Sequence, residues 1–442
     1  MNSLKNSLTK IPSDREALVI DSCTLSYEDL QNLILENGEV IKKLQASSIA
    51  INARNRFEFA KLLFLLDGEV NSMLFLPQDI DKSLHDRYYK EASVEYEVYL
   101  DNNVLKFNKI VDEAKSNQIQ DTKWIIPTSG TTNIPKLVAH TFDSLTRTTK
   151  CDIEKGSFFR WGLVFDIYRF SGIQVYLQAM LSGSTLIISE ADMTMPQILN
   201  NLSKNRCNAL SATASFWRKV MMSKEANNLE LKVITLGGEI VDETILQALQ
   251  AKYSSAKILH IYASTEAGVG FSVQDGYAGF PTSFLEDGFD EVNLKISDTN
   301  TLMIKNKKET QKYLSCNDLY QKDGYIDTGD VVEIKDNRVY FLGRDSGAIN
   351  VGGNKVQPEE VEQALLDSML LHEAFVYGKK NSMMGNLVCA DVVLKDKTLD
   401  TKLVKNELIT HCRKKIDNYK IPAMIRFVDE LQTTQSGKLK RS

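Results

Sequence analysis

Trp124-Ile-Ile126 followed by Pro127-Thr-Ser-Gly-Thr-Thr-Asn-Ile-Pro-Lys136 decides how the rest of the chain is read. The three apolar residues look like the end of a buried strand. The polar stretch after them packs hydroxyls, a glycine and a lysine into one loop. Backbone N–H groups and hydroxyls can wrap a polyphosphate, with the ammonium acting as a point charge. The spacing is not that of a Walker A loop, because Gly130 leads to Pro135-Lys136-Leu137 and not to Gly-Lys-Ser/Thr. A P-loop kinase is therefore disfavoured. The competing reading is a Ser/Thr-rich surface turn.

Outward from that loop, short apolar runs alternate with helical patterns, which predicts an α/β class with a largely parallel sheet. Ile49-Ala-Ile51, Leu186-Ile-Ile188, Val233-Ile-Thr-Leu236 and Ile258-Leu-His-Ile261 read as buried strands. Asn55 and Glu58 form a capping-box pattern ahead of Phe59, Leu62, Leu63 and Leu66, and Gly68 stops that helix. Between Phe271 and Tyr325 the runs shorten and alternate, as at Val292-Asn-Leu-Lys-Ile296 and Thr301-Leu-Met-Ile304, which predicts small antiparallel strands. After Gly343-Arg-Asp345, Pro358 opens a helix whose Val361, Ala364, Leu365 and Met369 are expected on one face. The expected domains are 1–344 and 345–442: a large layered α/β domain with a small barrel-like β region, and a small mobile α+β domain.

Bulk properties exclude several classes. A net charge of −5 leaves no basic field for nucleic acid or anionic lipid. The apolar run Phe57–Leu66 is interrupted by Glu58 and Lys61, so no membrane span is expected, and Met1–Ile20 has no secretory core. Six cysteines without a CxxC pair argue against a zinc site or a disulfide framework. The expectation is a cytoplasmic protein.

TSGTTNIPK resembles the phosphate loop of the ANL superfamily of adenylate-forming enzymes, which includes acyl-CoA synthetases, peptide-synthetase adenylation domains and luciferases. The family's other motifs follow in order over roughly residues 20–442. Leu25-Ser-Tyr-Glu-Asp-Leu30 is similar to its early segment. Leu236-Gly-Gly-Glu239 resembles the adenine wall, Tyr262-Ala-Ser-Thr-Glu266 the YGxTE loop, and Tyr325-Ile-Asp-Thr-Gly-Asp330 the YxTGD segment. Gly343-Arg344-Asp345 resembles the interdomain hinge, Ile349–Val361 the loop lining the pantetheine tunnel, and Leu431–Arg441 the C-terminal lysine motif. Two departures stand out: Asn133 and Ala263 replace glycines, and Asn tolerates positive φ. The stretch before the phosphate loop is also short, which implies a trimmed N-terminal subdomain.

The resemblance implies roles. Thr128, Ser129, Gly130, Thr131, Thr132 and Lys136 would hold the phosphates of ATP, and Gly237, Gly238 and Glu239 would wall the adenine. Tyr262 would stack on it, Thr265 would touch the α-phosphate, Glu266 would hold Mg²⁺, and Asp330 and Arg344 would bind the ribose. Lys438 would be the catalytic cation, Asp345 the pivot, and Gly352, Gly353 and Lys355 the lining of the tunnel for coenzyme A or a carrier protein's phosphopantetheine. Arg169, Thr213, Ser215 and Ala263 are the acyl-pocket candidates. Arg169 could meet an anionic or polar substrate, or pair with Asp166 and be structural. The implied reaction is ATP-dependent activation of a carboxylic acid, favouring a small aryl or short acyl acid, then transfer to a thiol. Any carrier protein would be a separate chain. The alternatives are an amino-acid-activating enzyme and a non-catalytic adenylate-binding relative.

Overall fold

The chain's computed structural model describes residues 3–21, 23–111, 121–128, 135–307, 312–314, 323–381 and 384–432. Four apolar runs read from the sequence are strands of two parallel-centred sheets. In the eight-stranded sheet, Lys257–Ser264, Val233–Gly237, Ala209–Ala212, Arg160–Leu163, Thr185–Ile188 and Glu16–Ile20 run parallel in that order. Antiparallel Gly268–Val273 and Cys23–Ser26 close its edges. Such continuous apolar strands suit a sheet covered on both faces. In the seven-stranded sheet, Ser48–Ile51 pairs in parallel with Ser72–Phe75 and Tyr96–Asp101, and Lys123–Pro127 extends it.

The helix Arg56–Leu66 lies between these layers. Asn55 caps it by accepting the Glu58 N–H at 2.9 Å. Glu58 takes the Arg54 N–H and guanidinium instead of closing the box on Asn55. The helix is buried all round and not along one stripe, Glu58 and Lys61 included. Lys61 is tolerated there because its ammonium reaches Asn103 Oδ1 at 2.7 Å.

A five-stranded antiparallel sheet follows, in the order Phe280–Pro281, Arg338–Arg344, Ile326–Lys335, Thr301–Asn306, Val292–Ile296. Among the described residues its outer strands are not paired with each other. The C-terminal part has a core of its own, running from Ile349 to Ile425. There, Leu371–Asn381 and Gly385–Leu394 form a long hairpin flanked by the helices Pro358–Leu366 and Thr401–Lys415. Val361, Ala364 and Leu365 are buried as expected, but Met369 is not on that face. The helix ends at Leu366, and Met369 sits at φ 64° with its side chain exposed.

One buried carboxyl ties the start of the chain to this core. Asp67 accepts the Leu4 N–H at 2.7 Å and the Trp124 indole N–H at 2.8 Å. Burial, only partly offset by those bonds, pushes its pKa up to about 6. The folded state therefore keeps this proton up to about pH 6, whereas an unfolded aspartate releases it near 3.8. The fold is favoured below pH 3.8 and loses this contribution, about 3 kcal/mol, as pH rises toward 6. Paired denaturation curves of wild type and Asp67→Asn should show the wild type losing stability relative to the variant over that window. A pH-independent difference would contradict the assignment.

Candidate active site

Gly237–Glu239, Tyr262, Thr265 and Glu266 lie at the C-terminal ends of parallel strands, the usual place for a ligand crevice in an open α/β sheet. The register Gly237↔Ile261 sets Gly237-Gly238-Glu239 beside Tyr262, where the first strand and the parallel pairing end. Gly238 has φ 80°, so the chain can turn sharply off the strand. The five-stranded sheet brings in Asp330 and Arg344, which are cross-strand partners. Together they line a cavity of about 1620 Å³ with Thr128, Arg169, Ser215, Ala263, Thr265 and Glu266.

A hydrogen-bonded cluster organises the centre. The Tyr262 hydroxyl donates to Asp330 Oδ2, and Arg344 Nε donates to Asp330 Oδ1 at 2.9 Å. Burial and the neighbouring Asp330 carboxylate hold the Tyr262 hydroxyl far above the ordinary phenol range, so it stays a donor. Burial works against the charge of Arg344, but Asp330 and Tyr262 outweigh it and raise its pKa. The Tyr262 ring stacks on Phe341 at 4.9 Å and on Phe271 at 5.3 Å, which fixes its plane. Sequence reading missed both buttresses.

The stretch read as a phosphate loop connects the antiparallel strands Lys123–Pro127 and Leu137–His140. Its base is closed twice: Thr128 N–H donates to the Lys136 carbonyl at 2.8 Å, and Lys136 N–H to Thr128 Oγ1 at 3.1 Å. Thr128 lines the cavity, while Lys136 is exposed outside the lining. Ser129, Gly130, Thr131 and Thr132 lie outside the described residues, as do Asn133 and Lys438. At the end of the hairpin's second strand His140 is fully buried beside Phe170, with Nδ1 3.5 Å from Ser144 Oγ. Burial lowers its pKa to about 4, opposed by a hydrogen bond with the Thr265 backbone, so the imidazole is neutral where the strand Leu137–His140 meets Thr265.

The acyl-pocket candidates divide. Ser215 and Ala263 line the cavity, and Ser215 N–H donates to Glu239 Oε2 at 2.8 Å. Thr213 does not line it. Its buried hydroxyl accepts the Phe216 N–H at 3.1 Å and caps the helix Ala214–Met222, which corrects the pocket assignment. Arg169 lines the cavity but is already engaged: Nη2 lies 2.6 Å from Asp79, Nε 3.8 Å from Asp166, and Nη1 donates to the Thr128 carbonyl at 3.2 Å. Of the two readings of Arg169, the structural one matches these contacts, with Asp79 as the closer partner.

The supposed tunnel residues stand apart from the cavity. Gly352 and Gly353, at φ 58° and 90°, make the two-residue turn between Ile349–Val351 and Asn354–Val356. Lys355 pairs with Asp345 at 2.6 Å, and neither it nor the two glycines is among the described residues lining the cavity. The C-terminal domain instead covers the cavity with the helix Pro358–Leu366 and the strand Leu371–Asn381, through residues such as Gln363, Glu373 and Ala374.

This fold, with nucleotide-type motifs gathered at one crevice and a second domain over it, defines an adenylate-forming enzyme of the ANL superfamily. The family of AMP-binding enzymes matches residues 70–303, and its C-terminal domain matches residues 360–438. The chain belongs to that family and is an AMP-forming acid–thiol ligase. The chain is 24% identical to 2-succinylbenzoate–CoA ligase of Bacillus subtilis (strain 168), over 97% of this chain and 90% of the relative. It is 26% identical to D-alanine–D-alanyl carrier protein ligase of Staphylococcus aureus (strain MRSA252), over 73% and 70%. Among solved structures, the anthranilate CoA ligase AuaEII in complex with anthranoyl-AMP superimposes with a TM-score of 0.80 at 15% identity, covering 99% and 95%. No helix among the described residues is long and apolar enough to cross a membrane.

Proposed function

We propose that the chain couples ATP to an aryl acid and passes the acyl group to a phosphopantetheine thiol of coenzyme A or of a carrier protein. The observation that carries this reading is the single cavity shared by Gly237–Glu239, Tyr262, Thr265–Glu266, Asp330 and Arg344, drawn from distant segments. The apolar part of the lining, Phe165, Phe170, Ile261 and Ala263, suits a flat ring. Arg169, neutralised by Asp79 and Asp166, is not needed as the partner of an anionic substrate. Similarity to an aryl–CoA ligase over nearly the whole chain supports the same class.

In the first half-reaction a carboxylate oxygen attacks the α-phosphorus of ATP, and pyrophosphate leaves. In the second the thiol sulfur attacks the acyl carbonyl, and AMP leaves with that carboxylate oxygen. Repulsion between the two anions is the first barrier, and a preorganised cation removes it. Lys438 is assigned that place. Thr128, Ser129, Thr131, Thr132 and Lys136 are assigned to the departing pyrophosphate. Asp330 and Arg344 hold the ribose, while Tyr262, kept in plane by Phe341 and Phe271, faces the adenine. Glu266 would hold Mg²⁺, which neutralises phosphate charge; a hard carboxylate beside a polyphosphate fits an ion that relies on few protein ligands. Rotation about Asp345 would then exchange Lys438 for the Gly352–Gly353 turn. The compartment assigned is the cytoplasm.

Acid-dependent ATP–pyrophosphate exchange across aryl, fatty and amino acids tests this reading, followed by acceptor assays with coenzyme A and carrier proteins. Exchange should be fastest with an aryl acid. Fastest exchange with an amino acid would make this an amino-acid-activating enzyme, and absence of exchange with every acid would point to an adenylate-binding relative.

A further inference from the structure

The helix Ala214–Met222 of the large domain packs against the strand Leu371–Asn381 of the C-terminal domain. At that contact Lys219 Nζ donates to the Leu431 carbonyl at 3.1 Å. Leu431 is buried and stands a few residues ahead of Lys438 in the sequence. Glu373, 3% exposed, comes from the same strand of the C-terminal domain. Burial raises the pKa of Glu373, and the charge of Lys219 opposes this most, ahead of the Leu431 backbone and Arg218. Glu239 faces Glu373 as a like charge, while Arg218 is paired with Asp242. The N-terminal turn of the same helix holds Glu239 through the Ser215 N–H. One helix thus touches the adenine wall at its start and the chain leading to the catalytic lysine near its end.

We propose that Lys219 is a positioning residue for one half-reaction: by holding the Leu431 carbonyl beside buried Glu373, it seats the C-terminal domain with Gln363 and Glu373 over the cavity and the Gly352–Gly353 turn outside the lining, the arrangement assigned to adenylation. This rests on the function proposed above. A lysine stem spans the interface while its ammonium satisfies a carbonyl that water would otherwise reach. Once the domain rotates, this bond is broken, so it contributes nothing to thioester formation.

The test compares wild type, Lys219→Met and Lys219→Arg. Lys219→Met should lower ATP–pyrophosphate exchange about tenfold, the order expected for one charge-assisted hydrogen bond. Thioester formation from supplied acyl-adenylate should stay within about twofold, and Lys219→Arg should recover most of the exchange. Trypsin cleavage after Arg344 in the ligand-free protein gives a readout independent of activity, and Lys219→Met should speed it several-fold. Equal loss in both half-reactions, or unchanged exchange, overturns the proposal, as does unchanged cleavage. Wild type without exchange on any acid would count against the enzymatic reading, while the cleavage rates would still judge the interdomain contact.

Discussion

Lys438→Ala will lower adenylation by about 100-fold or more and leave thioester formation from supplied acyl-adenylate largely intact. The first half-reaction brings an anionic carboxylate against an anionic phosphate in a cavity that already holds Glu239, Glu266 and Asp330. A cation placed between the reacting groups is worth on the order of 3 kcal/mol when removed, typical of losing a preorganised electrostatic stabiliser. The second half-reaction has a neutral acyl carbonyl and needs no such bridge. Pyrophosphate exchange measures the first step and thioester release from synthetic acyl-adenylate the second. Exchange at the wild-type level in the variant would remove Lys438 from the mechanism.

Asp330→Asn will raise the KM for ATP by roughly 30- to 100-fold with a smaller change in kcat, about 2–3 kcal/mol for a hydrogen-bonded charge in a half-buried site. Asp330 is the common acceptor of the Tyr262 hydroxyl and the Arg344 guanidinium. An amide in its place offers one oxygen to two donors, leaves Arg344 without its counter-charge and frees Tyr262. The ribose contact exists in ground and transition states alike, so its loss falls mainly on KM. Initial rates against ATP concentration, with a melting curve to confirm folding, check this. An unchanged KM would place the ribose elsewhere.

Local signals made much of this legible in sequence. Ile49–Ile51 and Val233–Leu236 read as buried strands because a sheet covered on both faces demands uninterrupted apolar residues. The helix after Asn55 read correctly from its cap, yet its burial on every side did not, since Glu58 and Lys61 find partners that periodicity does not reveal. Met369 shows the limit of extending a pattern: the apolar spacing continues after the helix has ended. At the site, the motif residues could be listed from the sequence, but their pairings could not. Tyr262 and Asp330 meet across 68 positions, and Arg169 and Asp79 across 90, so no local window contains either bond. Thr213 was read as a pocket residue, and its place just before a helix makes it a cap instead.

The most direct test of the central claim follows one oxygen atom. With an aryl acid labelled with ¹⁸O in both carboxylate positions, ATP, Mg²⁺ and coenzyme A, attack at the α-phosphorus predicts AMP carrying one labelled oxygen and unlabelled pyrophosphate. Label appearing in inorganic phosphate alongside ADP would mean attack at the terminal phosphorus and would contradict it.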